Sequence, residues 1–344
     1  MRTQLALTAE NLPDYLKNRG LARPDEAVRV EPAGDGNINW VRRAWLGDGG
    51  RSLIVKQARP ALERFPEYQV TTERIVMEAR YYETVRPFDA ASLCPRVLDF
   101  DEAERVLLLE DLGDVPRLDE ALAATGAPER AAVVGEALGS FLGAVHAATA
   151  PRAELAARFQ NDDMRRLHGD HIFALPFREN DFGLSAPLRT RAEAVWQDDD
   201  AVALADAAYR EYLAPEGALV HADVQGGNVL LTASRPRLLD AEISHVGDAA
   251  FDIGILLAHL MLSDVARGDA ARSRPAMIRT WHAYVDHAGR STAPPFARAA
   301  RYAGIELVRR TIGAARAPAV TEDAAGLRVL ELGLAWLKTP PEAP

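Results

Sequence analysis

A short segment in the second half of the chain brings together polar residues at spacings that have a chemical meaning. His221, Asp223 and Asn228 form the pattern HxDxxxxN, and Asp240 follows the next apolar run. The first aspartate of this pattern can accept or orient a substrate hydroxyl, while the asparagine and the later aspartate offer oxygen ligands to Mg²⁺. The spacing therefore predicts phosphoryl transfer to a hydroxyl, with Asp223 as the catalytic residue and with Asn228 and Asp240 as metal ligands.

Isolated fragments of such motifs carry less weight than the complete set. A lone HxD favours an ordinary acidic turn between strands, whereas four correctly spaced groups favour catalysis. Residues 168–170 (HGD) lack an asparagine five positions after the aspartate, where Leu175 stands, and residues 181–183 (DFG) do not follow an apolar strand. We interpret both segments as unrelated to the catalytic and metal-binding motifs.

Two residues near the catalytic motif are expected to support the loop and not to react. His221 is predicted to orient the loop through hydrogen bonds. Asp252, in the run FDIG, is predicted to cap the following helix and to brace the catalytic loop. Both are therefore interpreted as structural.

Length and charge limit the classes of protein to which the chain can belong. With 344 residues it is long for one domain and sufficient for two lobes. Its 40 basic and 50 acidic residues give a formal net charge of −10, which argues against nucleic acid or an anionic membrane as the main partner. The expected partners are a nucleotide and a small-molecule acceptor, and the sequence leaves open whether the chain forms a homodimer.

Cysteine usage and hydropathy indicate a cytoplasmic protein. The single cysteine, Cys94, excludes an intramolecular disulfide and suits a reducing compartment. The N-terminus has no extended apolar stretch of the kind found in signal peptides. The longest apolar candidate for a membrane span, residues 251–262, falls short of the ~20 residues that a spanning helix needs.

The hydrophobic periodicity of the chain changes near residues 112–116. Before this point it predicts a helix at 8–19, strands at 27–31, 39–46 and 51–57, a helix at 71–85, and a hairpin of strands at 96–100 and 105–109. Helical patterns dominate after it. The sequence therefore predicts an α+β, protein-kinase-like bilobal fold, with a small β-rich N-terminal lobe (1–112) and a larger, mainly helical C-terminal lobe (113–344). A nucleotide is expected in the cleft between the lobes.

The predicted N-terminal lobe carries a loop that could bind phosphates. The loop lies between two predicted strands and consists of Gly34, Asp35, Gly36 and Asn37. Glycine lets backbone N–H groups approach phosphates closely, because it lacks the Cβ atom. The alternative is an ordinary hairpin turn, since glycine turns between strands are common.

A lysine and a glutamate follow this loop in the order found in kinases. Lys56 ends the strand sequence LIVK and is predicted to hold the α- and β-phosphates, and Glu78 in the next helix is predicted to pair with it. The alternative is an edge-strand lysine and a solvated glutamate. The order of glycine loop, strand lysine, helix glutamate, HxDxxxxN and strand-end aspartate favours the functional interpretation.

The residues at the predicted lobe boundary are candidates for the adenine site. Glu110, Asp111 and Leu112 follow a strand and are predicted to offer backbone donors and acceptors to an adenine. The same triplet would also suit an ordinary strand end. We therefore assign Glu110 and Leu112 to nucleotide binding as a prediction.

These residues resemble those of the 5-methylthioribose kinases, a family within the aminoglycoside phosphotransferase-like group. The resemblance rests on GDGNIN (34–39), SLIVKQA (52–58), EDL (110–112), Asp240-x-Glu242, FDIG (251–254) and RRTIG (309–313), and it extends to about residue 315. It implies ATP as the phosphoryl donor, Mg²⁺ as the cofactor and Glu242 as a ligand of a second metal ion or of its water. It also implies that Arg309 and Arg310 contact the acceptor.

The paired arginines have a simpler interpretation without this resemblance. Adjacent residues on a helix diverge by about 100°, so one arginine would pair with a carboxylate while the other lies in solvent. With the resemblance, we expect Arg309 and Arg310 to be exposed in the acceptor site.

The chain departs from the family pattern at particular positions, and the acceptor stays open for this reason. The family usually carries glycine in place of Ala222, proline in place of Ala241 and a serine-like residue in place of Asn228. The expected acceptor is the 1-hydroxyl of 5-methylthioribose. The first alternative is an amine-bearing alcohol such as an aminoglycoside, homoserine or a choline-like compound, against which Arg309 and Arg310 argue. The second is a non-catalytic nucleotide-binding regulatory protein.

Overall fold

The computed structural model describes residues 4–34, 38–61, 63, 69–125, 128–150, 152–320 and 322–344. The chain divides into two compact units. Unit 1 comprises Met1–Thr84 and Cys94–Asp114, and unit 2 comprises Val85–Leu93 and Val115–Pro344. The segment Val85–Leu93, which lies within the N-terminal lobe predicted from the sequence, therefore packs with unit 2.

Unit 1 is an antiparallel sheet with accompanying helices. Its elements are α1 (Leu12–Asn18), β1 (Val28–Pro32), β2 (Trp40–Leu46), β3 (Arg51–Gln57), α2 (Arg74–Val85), β4 (Val97–Asp101) and β5 (Val106–Glu110). The strand order is β1-β2-β3-β5-β4, and neighbouring strands are antiparallel. Buried side chains of α1, β2, β3 and β5 form a continuous hydrophobic core. This core supports the central strand β3, which carries Lys56.

The helices of unit 1 begin later than the periodicity predicts, whereas the strands agree with their predicted bounds to within one residue. The first helix begins at Leu12, because the Thr8 hydroxyl accepts hydrogen bonds from the N–H groups of Glu10 (3.2 Å) and Asn11 (3.3 Å) and forms a turn. The Thr71 hydroxyl forms a similar turn before α2. Threonine side chains thus compete with the helix at both starts.

Unit 2 is mainly helical. Its helices are α3 (Leu118–Thr125), α4 (Pro128–Thr149), α5 (Glu154–Arg158), α6 (Asp162–Gly169), α7 (Ala186–Trp196), α8 (Asp199–Tyr212), α9 (Ala249–Arg267), α10 (Arg274–Ala288), α11 (Phe296–Ile312) and α12 (Asp323–Lys338). A π-helical turn, Asp170–Ala174, continues α6. The short strands β6 (Ala218–Val220) and β9 (His245–Gly247) pair with each other, as do β7 (Val229–Leu231) and β8 (Pro236–Leu238).

The core of unit 2 is built around α9, which is buried along almost its whole length. Its close approach to α11 requires glycine at position 254, since a Cβ atom on Gly254 would lie 2.5 Å from the carbonyl oxygen of Ala299. This packing positions two fully buried carboxylates, Asp252 on α9 and Glu306 on α11. Both belong to the candidate site described below.

Among the residues that the structure describes, two helices are long and apolar enough to cross a membrane by length and composition alone. They are Pro128–Thr149 and Ala249–Arg267, and 94 % of the most apolar part of the second helix is buried inside the protein. The second helix extends beyond the apolar stretch 251–262 that stands out in the sequence. A buried core helix meets the same criteria, which is the simplest account of α9.

Candidate active site

The loop that carries the HxDxxxxN motif follows β6 and leads into β7. β6 is buried and pairs with β9, which determines where the loop begins. The carboxylate of Asp252 accepts hydrogen bonds from the backbone N–H groups of His221 (2.7 Å) and Ala222 (2.8 Å). His146 contacts the same carboxylate at 3.2 Å. Asp252 therefore braces the loop, as predicted from the sequence.

The predicted capping role of Asp252 is wrong. Asp248 caps α9 instead, because it immediately precedes the helix and its side chain accepts a hydrogen bond from the N–H group of Ala250 at 3.0 Å. Burial raises the pKa of Asp252, but the hydrogen bonds from His146 and from the backbone of His221 outweigh it and hold the pKa below its usual value. An ionised carboxylate is the form that can accept all of these hydrogen bonds.

Ala222 adopts an unusual backbone conformation at the start of the loop. Its φ of 68° lies in the left-handed region, where a side chain costs roughly 1–2 kcal/mol. Glycine at this position would avoid this cost. In this chain, the hydrogen bond from the Ala222 N–H to Asp252 holds the strained conformation in place.

Asp223 follows this turn, and one of its carboxylate oxygens is held by the protein. Oδ2 accepts hydrogen bonds from Nδ2 of Asn228 (2.7 Å) and from Nε2 of Gln225 (3.0 Å). Burial raises the pKa of Asp223 to about 6, although the charges of Arg309 and Arg310 oppose the rise. A carboxylate that titrates near neutral pH is well suited to accept or orient the proton of a hydroxyl.

The pairing of β7 with β8 places the predicted metal ligands Asn228 and Asp240 near each other in the fold. Val229 pairs with Leu238, and the N–H of Leu239 donates to the carbonyl oxygen of Asn228 at 2.9 Å. Asp240 follows directly, with a left-handed φ of 62° that aspartate tolerates better than most residues. The strand register thus brings Asn228 opposite the residue that precedes Asp240.

The donor atoms at this position fit Mg²⁺. Nδ2 of Asn228 donates to Asp223, so Oδ1 of Asn228 is the atom that can bind a metal ion. Within the described part of the chain, no group of three or more His, Cys, Asp or Glu side chains could hold a metal ion by itself. Mg²⁺ commonly binds through one or two protein oxygens and completes its coordination with phosphates and water. Asn228 and Asp240 match that pattern.

The third predicted metal ligand, Glu242, lies in the turn after Asp240. Glu242 is 5 % exposed, and its backbone carbonyl oxygen accepts a hydrogen bond from Nδ2 of Asn161 at 2.9 Å. Asn161 also donates to the carbonyl oxygen of Ser244 at 3.2 Å. The turn that carries Glu242 is therefore anchored by its backbone.

The predicted exposure of Arg309 and Arg310 is wrong, since the two residues are only 8 % and 7 % exposed. The cause is Glu306, which lies one turn earlier on α11 and is fully buried. Its carboxylate pairs with Nη1 of Arg309 at 3.1 Å and with Nε of Arg310 at 2.6 Å. Residues three and four positions apart share one side of a helix, so both arginines reach the same carboxylate. An arrangement with one arginine in solvent is therefore excluded.

The buried charge of Glu306 is more than compensated by the two arginines. Burial raises the pKa of Glu306, but Arg309 and Arg310 outweigh it and hold the pKa well below the usual value. Nε2 of His259 contacts the same carboxylate at 3.1 Å.

Arg310 also connects the cluster to the catalytic loop. Its Nη2 donates a hydrogen bond to Oε1 of Gln225, the residue whose amide donates to Asp223. A continuous set of contacts thus runs from Glu306 through Arg310 and Gln225 to Asp223.

His168 is a neighbour of Asp223 that was not recognised from the sequence. Its Nε2 lies 3.7 Å from Oδ1 of Asp223. Residues 168–170 are not a second catalytic loop, and Asp170 instead accepts a hydrogen bond from the Tyr209 hydroxyl at 2.9 Å. The available signal was helical spacing, which places His168 on the same buried face of α6 as Met164.

In unit 1, the predicted ion pair is present. Nζ of Lys56 on β3 lies 2.7 Å from Oε2 of Glu78 on α2, and both side chains are buried. Gly34 has a φ of 62°, which glycine adopts without strain. The rest of the predicted phosphate loop, Asp35, Gly36 and Asn37, lies outside the residues that the structure describes.

The predicted adenine site lies at the end of β5. The N–H of Glu110 donates to the carbonyl oxygen of Arg96 at 3.0 Å, so an adenine would have to use other backbone groups here. The side chain of Asp111 pairs with Nε of Arg43 at 2.6 Å and accepts a hydrogen bond from the Ser52 hydroxyl at 2.7 Å. These contacts hold the backbone between Glu110 and the half-buried Leu112.

Comparison with known proteins identifies the family of this chain and proteins with a similar fold. Residues 29–293 match the phosphotransferase enzyme family. Methylthioribose kinase of Bacillus mycoides (strain KBAB4) is 26 % identical over 342 residues, which cover 90 % of this chain and 85 % of that protein. Methylthioribose kinase of Geobacillus kaustophilus (strain HTA426) is 26 % identical over 326 residues, which cover 86 % of this chain and 81 % of that protein.

Solved structures with a similar fold include spectinomycin phosphotransferase in complex with ADP and spectinomycin. It has a TM-score of 0.52 and 11 % identity, and covers 97 % of this chain and 100 % of that chain. Choline kinase from Cryptosporidium parvum Iowa II has a TM-score of 0.53 and 13 % identity, and covers 94 % of each chain. At this identity the likeness concerns the fold alone, and it confirms the kinase-like fold predicted from the sequence.

Proposed function

Because the chain belongs to the phosphotransferase enzyme family, we propose that it transfers the γ-phosphoryl group of ATP to a hydroxyl of a sugar-like metabolite. The acceptor we propose is 5-methylthioribose, phosphorylated at its 1-hydroxyl. The observation that carries the proposal is the arrangement of Asp223, whose Oδ2 is held by Asn228 and Gln225 at the turn of a braced loop. The proposed enzyme acts in the cytoplasm.

The proposed catalytic residue is Asp223, which would align the acceptor hydroxyl and accept its proton. Such a contribution typically amounts to roughly 10²- to 10⁴-fold in rate. Lys56, held by Glu78, would neutralise the α- and β-phosphates. Gly34, with the loop that follows it, and the backbone at Glu110 and Leu112 would bind the rest of the nucleotide. Phosphoryl transfer needs little more from the protein than positioning and charge neutralisation.

Mg²⁺ would be held by Asn228 and Asp240, with Glu242 as a ligand of a second ion or of its water. When bound, the ion neutralises charge on the phosphates. This assignment predicts that Asp240→Ala loses Mg²⁺-dependent nucleotide affinity, measured by titrating ATP with and without Mg²⁺. Equal affinity of the variant and the parent for Mg·ATP would place the metal elsewhere.

The proposed acceptor is supported by the charges around Asp223. Arg309 and Arg310 lie close enough to lower its pKa, and the carboxylate of Glu306 is occupied by both of them. A cationic acceptor would therefore meet net positive charge beside the catalytic residue, which disfavours choline-like and aminoglycoside substrates. The similar proteins named methylthioribose kinase point to the same class of neutral sugar.

A panel of acceptors tests the proposal. ATP consumption by the purified protein is measured with 5-methylthioribose, ribose, homoserine, choline and kanamycin, and Asp223→Asn serves as the matched control. We expect the highest kcat/KM for 5-methylthioribose and a loss of activity in the variant, with little change in its affinity for ATP. Faster turnover of choline or kanamycin would support an amine-bearing acceptor. Nucleotide binding without turnover of any acceptor would support a regulatory protein.

A further inference from the structure

The carboxylate of Asp223 has one oxygen that is fully engaged and one that is not. A carboxylate can accept about four hydrogen bonds, two at each oxygen. Oδ2 accepts its two from Asn228 and Gln225. Oδ1 faces Nε2 of His168 at 3.7 Å, which is beyond hydrogen-bond distance. The protein therefore holds one side of the carboxylate firmly and the other only loosely.

Nε2 of His168 is itself in an unusual position. The atom is buried and has no hydrogen-bond partner in the part of the chain that the structure describes. Leaving a buried polar atom without a partner costs about 1–3 kcal/mol. Oδ1 of Asp223 is the acceptor that faces it, and a shift of about 0.7 Å would bring the two atoms to an ordinary hydrogen-bond distance. Catalytic hydrogen bonds are often long in the free enzyme and shorten when the substrate binds.

The other ring nitrogen of His168 faces a hydroxyl group that can donate to it. The hydroxyl of Tyr212 lies 3.5 Å from Nδ1. Burial and the nearby charge of Arg309 hold the pKa of His168 well below its usual value, so the imidazole is neutral. When the Tyr212 hydroxyl donates to Nδ1, the single ring proton lies on Nε2 and points towards Asp223.

The backbone is arranged to keep His168 in this place. His168 lies in the last turn of α6, and the next residue is Gly169. A Cβ atom on Gly169 would lie 2.4 Å from the ring of Tyr209 on α8, so only glycine permits this close packing of α6 on α8. The ring of Phe251 closes the other side, with its centroid 6.3 Å from that of His168.

We infer that His168 is a positioning residue for Asp223. Its Nε2–H donates to Oδ1 when the acceptor is bound, so that the protein supplies three hydrogen bonds to the carboxylate and leaves the fourth position for the acceptor hydroxyl. Tyr212 sets the tautomer that makes this donation possible. The inference rests on one part of the proposed function, namely that Asp223 acts on a hydroxyl. Residues that orient reactive groups in this way typically contribute 10- to 100-fold, by analogy with the partners that orient metal ligands.

The kinetic test uses two replacements that differ in one respect. His168→Leu removes the donor, whereas His168→Gln keeps an N–H near the position of Nε2. We expect His168→Leu to lower kcat by roughly 10- to 100-fold with KM values for ATP and acceptor within about twofold of the parent, and His168→Gln to recover most of the loss. His282→Leu, the same change at an exposed position of α10, should leave kcat unchanged. Parent-like kcat in His168→Leu, or equal losses in both variants, would overturn the inference.

A second measurement needs no substrate. The free energy of unfolding is measured by urea denaturation at pH 8 for His168→Leu, Asp223→Asn and the double variant. Nε2 of His168 lies 3.7 Å from Oδ1 of Asp223 without any substrate, so the single effects are not expected to add, whereas the effects of independent sites add. Additive effects would remove the contact on which the inference depends. Non-additive effects in a protein without turnover would leave the contact in place and reject the proposed function instead.

Discussion

The side-chain amide of Asn228 donates a hydrogen bond of 2.7 Å to the carboxylate of Asp223. The predicted metal ligand therefore also supports the predicted catalytic residue. Its two polar atoms have different roles in the proposed mechanism, since Nδ2 donates to Asp223 and Oδ1 would bind the metal. A replacement of Asn228 that preserves only one of these roles therefore shows which of them turnover depends on.

Asn228→Asp keeps an oxygen ligand but places a second carboxylate against Asp223. Like charges at this distance raise the pKa of one group and disturb its geometry. We expect kcat to fall on the order of 100-fold at pH 8, and by more than in Asn228→Ala, although aspartate is the better metal ligand. Steady-state kinetics at saturating Mg²⁺ measure the difference. Higher activity in the aspartate variant than in the alanine variant would show that only the metal ligand matters at this position.

Asp223→Asn should make the protein more stable while removing its activity. The pKa of Asp223 is raised by burial from 3.8 to about 6, so the ionised carboxylate costs stability in the folded state. This loss of stability is absent below pH 3.8, where the carboxyl group is protonated in the folded and the unfolded protein. It develops as the pH rises towards the folded-state pKa of about 6 and is complete above that value. At pH 8 the shift corresponds to at most about 3 kcal/mol.

The measurement compares unfolding of Asp223→Asn and the parent in urea at pH 4, 5, 6 and 8, with EDTA present. We expect the advantage of the variant to grow from pH 4 to pH 6 and to stay level above it. Asp181→Asn, at a position whose side chain is 98 % exposed, is the control for the substitution itself. An advantage that does not depend on pH would mean that the Asp223 pKa is not raised.

Much of this arrangement could be predicted from the sequence because it depends on local order. Strand bounds in unit 1 follow from alternation and turn residues, and the Lys56–Glu78 pair follows from the order of a strand lysine and a helix glutamate. The spacing of HxDxxxxN likewise places Asn228 near Asp223, since both lie on one short loop.

Contacts between distant segments could not be predicted in this way. His168 reaches Asp223 only because α6 packs closely on α8, which depends on glycine at position 169. The burial of Arg309 and Arg310 depends on how completely the surrounding helices cover α11, and neighbouring polar residues do not reveal this. Asp248 and Asp252 are both plausible helix caps by type, and the backbone conformation decides between them.

Lys56 should be tested together with its partner, because removing one member of a buried pair leaves the other charge uncompensated. Lys56→Met is expected to raise the KM for ATP at least about tenfold and to lower stability by about 3 kcal/mol. Lys56→Met combined with Glu78→Leu should recover stability but not the affinity for ATP. Lys338→Met, which removes an exposed ion pair with Asp198, is the control. A double variant with normal affinity for ATP would exclude Lys56 from the nucleotide site.

The two neighbouring arginines are expected to differ in their effect on turnover, although both pair with Glu306. Arg310 also donates to Gln225, which in turn supports Asp223, whereas the described contacts of the Arg309 side chain lead to Glu306. Lysine retains the charge but cannot supply the same planar set of donors. Arg310→Lys can therefore keep the ion pair or the contact to Gln225, but not both.

We expect Arg310→Lys to lower kcat by roughly tenfold and Arg309→Lys by roughly two- to threefold, with the KM for ATP unchanged in both. The acceptor KM is measured in parallel with the best substrate of the panel, and a rise in either variant would support acceptor binding by that arginine. Arg191→Lys, at a half-exposed ion pair with Glu331, is the control for the substitution itself. If both Arg309→Lys and Arg310→Lys behave like the parent, the 5-methylthioribose assignment loses its main support in the chain, and an amine-bearing alcohol becomes the better candidate for the acceptor.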